Sequence, residues 1–257
     1  MKNYLFELCA ESFEAARAGE AGGADRIELC SQLAVGGVTP DISLITATTR
    51  ALSIPVHILI RPRAGDFVFS SEEFELMKDQ IDQAKQAGAA GVAVGVLFPD
   101  GSVDVERSCE LVERSRPLSV TFHRAFDETA DLSEALEAVI ETGADCLLTS
   151  GGAPDVLAGA DSIARLCRRA GDRLDIMAGG GLRLSNLVEV VRRTGVSHVH
   201  GSLTRNRLDL ANGDQQTIGN GHSALSGSAS IESAVRESVR LLQGELRMRE
   251  FQAQTAR

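Results

Sequence analysis

Tryptophan is missing from this chain and tyrosine occurs once, so aromatic residues make up only 4% of 257 positions. No basic patch interleaved with aromatic rings can be built from so few. Basic residues are also the minority, 26 against 36 acidic ones, which leaves a formal charge of −10 and an isoelectric point near 5.0. Such a balance repels phosphodiester backbones and anionic headgroups, which excludes nucleic acid and membrane surfaces as general partners. No stretch approaches the ~18 consecutive apolar residues of a membrane-spanning helix. The start, "MKNYLFELCAES", lacks a charged lead followed by a long apolar run, so a cytoplasmic protein is expected. The five cysteines, Cys9, Cys30, Cys109, Cys146 and Cys167, contain no C-x-x-C pair. Their odd number and spacing exclude a zinc finger or disulfide framework and fit free thiols in a reducing compartment.

What is present is a composition able to build a core, 43% hydrophobic and 24% charged. The length suits two ordinary domains or one large barrel, and a repeated pattern decides between them. Amphipathic stretches end in Gly and lead into short β-branched runs, as in "GADRIEL" at Gly23, "GAAGVAVGVL" at Gly88, "GADCLLTSG" at Gly143 and "TGVSHVHGS" at Thr194. Eight strands are expected, near Leu5–Cys9, Arg26–Cys30, Val56–Arg61, Val92–Val96, Leu118–His123, Cys146–Thr149, Asp175–Ala178 and His198–His200. Eight β/α units point to a closed (β/α)8 TIM barrel in a single domain. A doubly wound open sheet is the alternative, but the glycine-rich nucleotide fingerprint after the first strand is absent. The barrel core is expected over 1–205. A Gly- and Ser-rich loop follows over 206–230, and 231–257 reads as a closing helix and tail of the same domain.

Side chains alternate faces along a strand, so parity separates lumen from helix layer. Leu8, Leu29, Val56, Ile58, Ile60, Val120, Phe122 and Val199 suit the helix layer. Glu7, Cys9, Arg26, Glu28, Cys30, His57, Arg61, His123, His198 and His200 then face inward. Branched apolar side chains fill most barrels of this kind. So much charge inside requires partners, because an unpaired buried charge is costly, and a polar pocket at the C-terminal mouth is the economical explanation.

Three constellations follow. Cys9 and Cys30 end consecutive strands about 4.8 Å apart, where two thiolates can share one soft ion such as Cu(I), or simply pack as small apolar residues. Glu7, Glu28 and His123 are candidates for proton transfer with Arg61 as an anion clamp; the opposing reading is an ion-pair network in which Arg26 and Arg61 neutralise both carboxylates. "IMAGGGLRLSN" and "HGSLTR" follow strands seven and eight, where barrels bind phosphate through backbone N–H groups. That adds Gly179, Gly180, Gly181, Gly201 and Ser202, with Arg61 and Arg63, as an expected site for a small anion, while His222 in the polar loop reads as solvated.

The strings "GADRIELCS", "GGVTP", "IRPRAGDF", "TFHRAFD", "LLTSGG" and "IMAGGGLRLSN" resemble, in order and from about Phe6 to Ser202, the motifs of the CutC family. The resemblance implies a cytoplasmic (β/α)8 barrel that self-associates, as a dimer, and is linked to copper homeostasis or Cu(I) binding. It places the family's acidic positions at Glu7 and Glu28, its arginines at Arg61 and Arg63, its "FHR" at His123 and Arg124, and its strand-eight histidine at His200. Cys9 and Cys30 match the cysteines implied to hold copper. Ala10 follows Cys9 where some members carry a second adjacent cysteine, so a site here takes one thiol from each strand. The function expected from the resemblance is copper homeostasis with Cu(I) on Cys9 and Cys30; the alternative is an enzyme performing lyase- or isomerase-like acid–base chemistry on a small anionic or phosphorylated metabolite.

Overall fold

The computed structural model describes residues 4–203 and 228–255. Each expected apolar run is a strand: β1 (Leu5–Ala10), β2 (Arg26–Leu29), β3 (Val56–Leu59), β4 (Gly91–Val94), β5 (Ser119–Phe122), β6 (Cys146–Thr149), β7 (Asp175–Ala178) and β8 (His198–Gly201). All pair in parallel with their sequence neighbours, and β8 returns to β1 to close the barrel. The intervening helices are α1 (Phe13–Gly22), α2 (Ile42–Ala51), α3 (Ser71–Gln86), α4 (Val105–Ser115), α5 (Leu132–Glu141), α6 (Ala160–Ala170), α7 (Leu187–Thr194) and α8 (Ser228–Thr255).

Local chemistry sets the helix ends. Ser12, Asp41, Asp104 and Asp131 each accept a backbone N–H of the first turn, and Ser70 with Glu73 forms a reciprocal capping box on α3. The glycine-ended pattern holds, with positive φ at Gly23, Gly88, Gly143 and Gly195. The outward set also holds: Leu8, Leu29, Ile58, Ile60, Phe122 and Val199 are fully or almost fully buried between strands and helices.

Four strands end earlier than the pattern suggests, β4 at Val94 and three others before a candidate site residue. Cys30, Arg61 and His123 lie just past their strands; Cys30 and His123 still donate to the neighbouring strands, at Ala10 O and Val94 O, whereas the Arg61 backbone turns to a loop. Thr39 takes both polar groups of Arg61, its hydroxyl accepting the Arg61 N–H at 2.8 Å and its own N–H donating to the Arg61 carbonyl at 2.9 Å. Residues 204–227, which take in the end of the expected core and most of the Gly- and Ser-rich segment with His222, lie outside the described residues, and 228–230 already belong to α8. That helix packs on α1 and α7, burying Val235 and Leu242, and its Glu245 accepts from Arg192 at 2.8 Å. No helix among the described residues is long and apolar enough to cross a membrane.

Candidate active site in the barrel mouth

The two Glu-Leu-Cys tripeptides each begin at the third residue of a strand but stand at different heights in the barrel. In the β1–β2 register Glu7 is level with Arg26, and Cys9 is level with Glu28. Strand stagger in a closed barrel produces this offset. It raises the second tripeptide by one inward position. Glu28 therefore reaches the cavity wall, while Glu7 stays below it.

Around Glu7 every charge is partnered. Its carboxylate accepts from Arg26 Nε at 2.5 Å and pairs with His200 Nδ1 at 2.7 Å, and it is almost wholly buried. Burial would raise its pKa, but the Arg26 charge and the His200 contact hold it at about 2. His57, packed into this layer, is pushed to about 4 by burial and by Arg26, so it stays neutral. Its ring fits only because Gly91 has no side chain: a Cβ there would lie 2.4 Å from the imidazole Cε1. Cys146, also in the lumen, is pushed up to about 12 by burial.

Above this floor opens a cavity of about 700 Å3 lined by Cys9, Glu28, Arg61, Phe67, His123, Arg124, Gly180, Gly181, Arg183, His200, Gly201 and Ser202, among others. Burial, and then the Glu7 charge, raise the Glu28 carboxyl, and the neighbouring His200 only partly offsets them. His200 Nε2 stands 3.8 Å from Glu28, and Cys9 Sγ donates to the same carboxyl at 3.5 Å. Burial alone would depress His200, yet Glu28 and the hydrogen bond to Glu7 raise it. Cys9 is raised well above the ordinary thiol value by its contact with Cys30, by burial and by Glu28.

Beyond the end of the adjacent strand β3 the wall is cationic. Arg61 is buried without a carboxylate on its guanidinium: Nη1 donates to Val35 O and Gly37 O at 3.2 and 2.9 Å, Nη2 donates to Gly65 O at 2.5 Å, and Nε has no partner. Its Cζ lies 4.7 Å from the Phe67 ring centroid, and the His123 ring lies 5.0 Å from the same centroid. Burial, with Arg61 nearby, pushes His123 down to about 3.

The CutC family model matches residues 4–205. This chain belongs to the CutC family. A family protein CutC of Mesorhizobium japonicum is 42% identical over 196 residues, covering 76% of each chain. One of Caulobacter vibrioides is 44% identical over 198 residues, 77% of this chain and 80% of that one. The crystal structure of a Streptococcus agalactiae protein assigned to CutC and to copper homeostasis aligns with TM-score 0.74 and 30% identity, over 78% of this chain and 100% of that one. A Pyrococcus furiosus N-(5'-phosphoribosyl)anthranilate isomerase, at TM-score 0.57 and 14% identity over 94% and 100%, shares the fold alone.

In this CutC-family barrel the expected residues separate into those the cavity reaches and those it does not. Glu28, Arg61, His123, Cys9, Gly180, Gly181, Gly201 and Ser202 line it. Glu7, Cys30, Gly179 and Arg63 do not. Glu7 is locked in the floor. Gly179 packs against Leu148 and His200. Arg63 is occupied by Glu73 at 2.6 Å, Asp66 at 2.9 Å and backbone carbonyls, so its expected role on an anion is displaced by loop anchoring. Cys30 is fully buried because residues 31–38 fold back over it through the Ser31–Val38 bridge.

Copper is the ion the family name implies. Among the described residues Cys9, Glu28 and His200 bring a thiol, a carboxylate and an imidazole within 4.8 Å of one another, and Cys30 Sγ adds a second thiol 3.7 Å from Cys9 Sγ. A thiol pair suits soft Cu(I), so the donor chemistry fits.

Several organising residues carry no expected role: Phe67, which holds Arg61 and His123; Thr39, which turns Arg61 out of the sheet; and Asp127. The last accepts from Arg124 Nε at 2.8 Å, the Thr149 hydroxyl at 2.5 Å and the Gly152 N–H at 3.0 Å, clamping the β5 and β6 loops together. All three sit inside "GGVTP", "IRPRAGDF" and "TFHRAFD", so the motifs contained them although their roles did not show.

Proposed function

We propose that the barrel mouth is the active site of an acid–base enzyme acting on a small anionic metabolite, with Glu28 as the group that moves the proton. One observation carries this reading: of two carboxylates with the same local sequence, Glu7 is held ionised in the floor while Glu28 stands at the cavity wall with its carboxyl raised. Pairs of carboxylates driven apart in this way divide into a fixed charge and a proton carrier. His200, fastened by Glu7 and facing Glu28, is the positioning residue that couples them. Arg61 supplies the countercharge for the substrate. The cavity volume suits a metabolite. Gly180, Gly181, Gly201 and Ser202 stand where β/α barrels hold phosphate, which extends the class to phosphorylated compounds. We place this activity in the cytoplasm, in a homodimer, where the free cysteines stay reduced.

The test is solvent-deuterium exchange into a library of small carboxylates and phosphate esters, alongside a thermal-shift screen. At least one compound should stabilise the protein and exchange a C–H, and Glu28→Gln should bind it with exchange slowed about 10²–10⁴-fold. Binding with equal exchange in both proteins would refute the role of Glu28.

A second reading is favoured by the 3.7 Å thiol separation: Cys9 and Cys30 bind Cu(I) as cargo in copper homeostasis, with Glu28 and His200 beside it. Stoichiometric Cu(I) uptake under reducing conditions, lost in Cys9→Ser/Cys30→Ser, supports it; unchanged uptake in that variant removes it.

A further inference from the structure

Arg61 and His123 each keep one buried nitrogen, Nε and Nε2, without a hydrogen-bond partner, and both residues line the same cavity. His123 Nδ1 accepts the backbone N–H of Ala125 at 3.2 Å. An acceptor nitrogen carries no proton, and the ring is neutral, so the single ring proton sits on Nε2. The ring cannot turn to offer another edge. A Cβ on Gly95 would lie 2.6 Å from Nδ1, so the Nδ1 edge is pressed against bare backbone, and Phe67 covers a face. His123 is thus a donor that lacks an acceptor. Beside it, Arg61 has its Nη groups spent on Val35, Gly37 and Gly65. Leaving two such donors buried is expensive, and a ligand acceptor satisfies them.

We propose that Arg61 Nε–H and the neutral His123 Nε2–H form a paired donor site for a carboxylate or enolate oxygen of the ligand, which makes the substrate a small carboxylic acid bound in the cavity that Glu28 also lines. The proposal rests on the acid–base reading and sharpens it. His123 is then a hydrogen-bond donor that stabilises negative charge and takes no part as a base. Proton transfer stays with Glu28: the C–H bond of the substrate breaks toward its carboxylate, the electron pair delocalises onto the oxygen held by Arg61 and His123, and the proton later returns to carbon.

The experiment is nitrogen-15 NMR of histidine-labelled protein titrated with pyruvate, oxalate and citrate as carboxylate probes, with pyruvamide and inorganic phosphate as controls. His123 should show the neutral Nε2–H tautomer at pH 7, and at least one carboxylate should shift it while pyruvamide does not. His123→Gln, whose amide N–H reaches the same point, should retain the affinity; His123→Phe should lose ~10- to 100-fold. An Nδ1–H or charged ring, no response to any carboxylate, a response to phosphate alone, or equal losses in the Gln and Phe variants would each overturn the proposal. Glu28→Gln keeps the two readings apart, because it should slow C–H exchange about 10²–10⁴-fold and leave the His123 shift intact. A carboxylate that shifts His123 without exchange in wild type rejects the enzyme alone.

Discussion

The floor and the mouth of the lumen are built from the same kinds of residue, glutamate, arginine and histidine, and they differ in how the charged groups are matched. In the floor Glu7, Arg26 and His200 are hydrogen-bonded together, and the unpartnered nitrogen beside them, His57 Nδ1, belongs to a neutral ring. In the mouth Glu28 has its carboxyl raised, Arg61 faces backbone carbonyls, and His123 keeps a donor unmatched. A closed set of charges holds a barrel together, whereas an open set invites a ligand to complete it. The lesson is that polarity in a lumen says little until its partners are counted.

The sharpest way to break this contrast is Glu7→Gln. Arg26 then loses its anion in a buried site, and thermal or denaturant unfolding should show a loss of about 3–5 kcal/mol. His200 loses its anchor as well, so its pKa should fall in the same variant when followed by NMR. An undiminished stability would mean that the floor is not the structural half.

Acidification should show the two layers next. His57 and His123 have folded pKa values of about 4 and 3 against an ordinary 6.5. Below 6.5 the unfolded chain gains protons that the folded chain does not, so stability falls as pH drops toward those values, by on the order of a few kcal/mol. Replacing either ring with Gln should flatten that limb of the stability–pH curve. Glu7 acts lower, its contribution present above the ordinary carboxylate value and lost as pH falls through about 2. His200 acts in the opposite direction: its contribution is complete below 6.5 and is lost as pH rises through its raised folded value.

Two glycines two inward steps apart sharpen the comparison further. Gly91→Ala drives a methyl into His57 and Gly95→Ala drives one into His123, each overpacking the lumen at about 1–3 kcal/mol. Chemical denaturation should register both, but only Gly95→Ala should abolish carboxylate binding. The smallest stability effect is expected from Glu28→Gln, within about 1 kcal/mol of wild type, since the carboxyl it replaces is already raised by burial. A loss as large as that of Glu7→Gln would erase the distinction between floor and mouth.

Much of this was legible in the linear chain. Glycine after an amphipathic stretch and a β-branched run beyond it are local signals, and they placed eight strands correctly in order and nearly in extent. Parity placed Glu7, Glu28, His57 and His123 inside and Leu8 and Leu29 outside, because alternation is a property of the strand itself. Strand ends were less legible, since Arg61 leaves the sheet for Thr39, a partner 22 positions away.

The sequence by itself therefore determined the (β/α)8 barrel, the inward polar set and the family. Only the tertiary structure decided that one Glu-Leu-Cys is structural and the other reaches the cavity, that Cys30 is roofed over, and that Arg63 anchors a loop. The reason is the register between strands: it depends on closure of the whole barrel, and it sets Cys9 level with Glu28 and Glu7 level with Arg26.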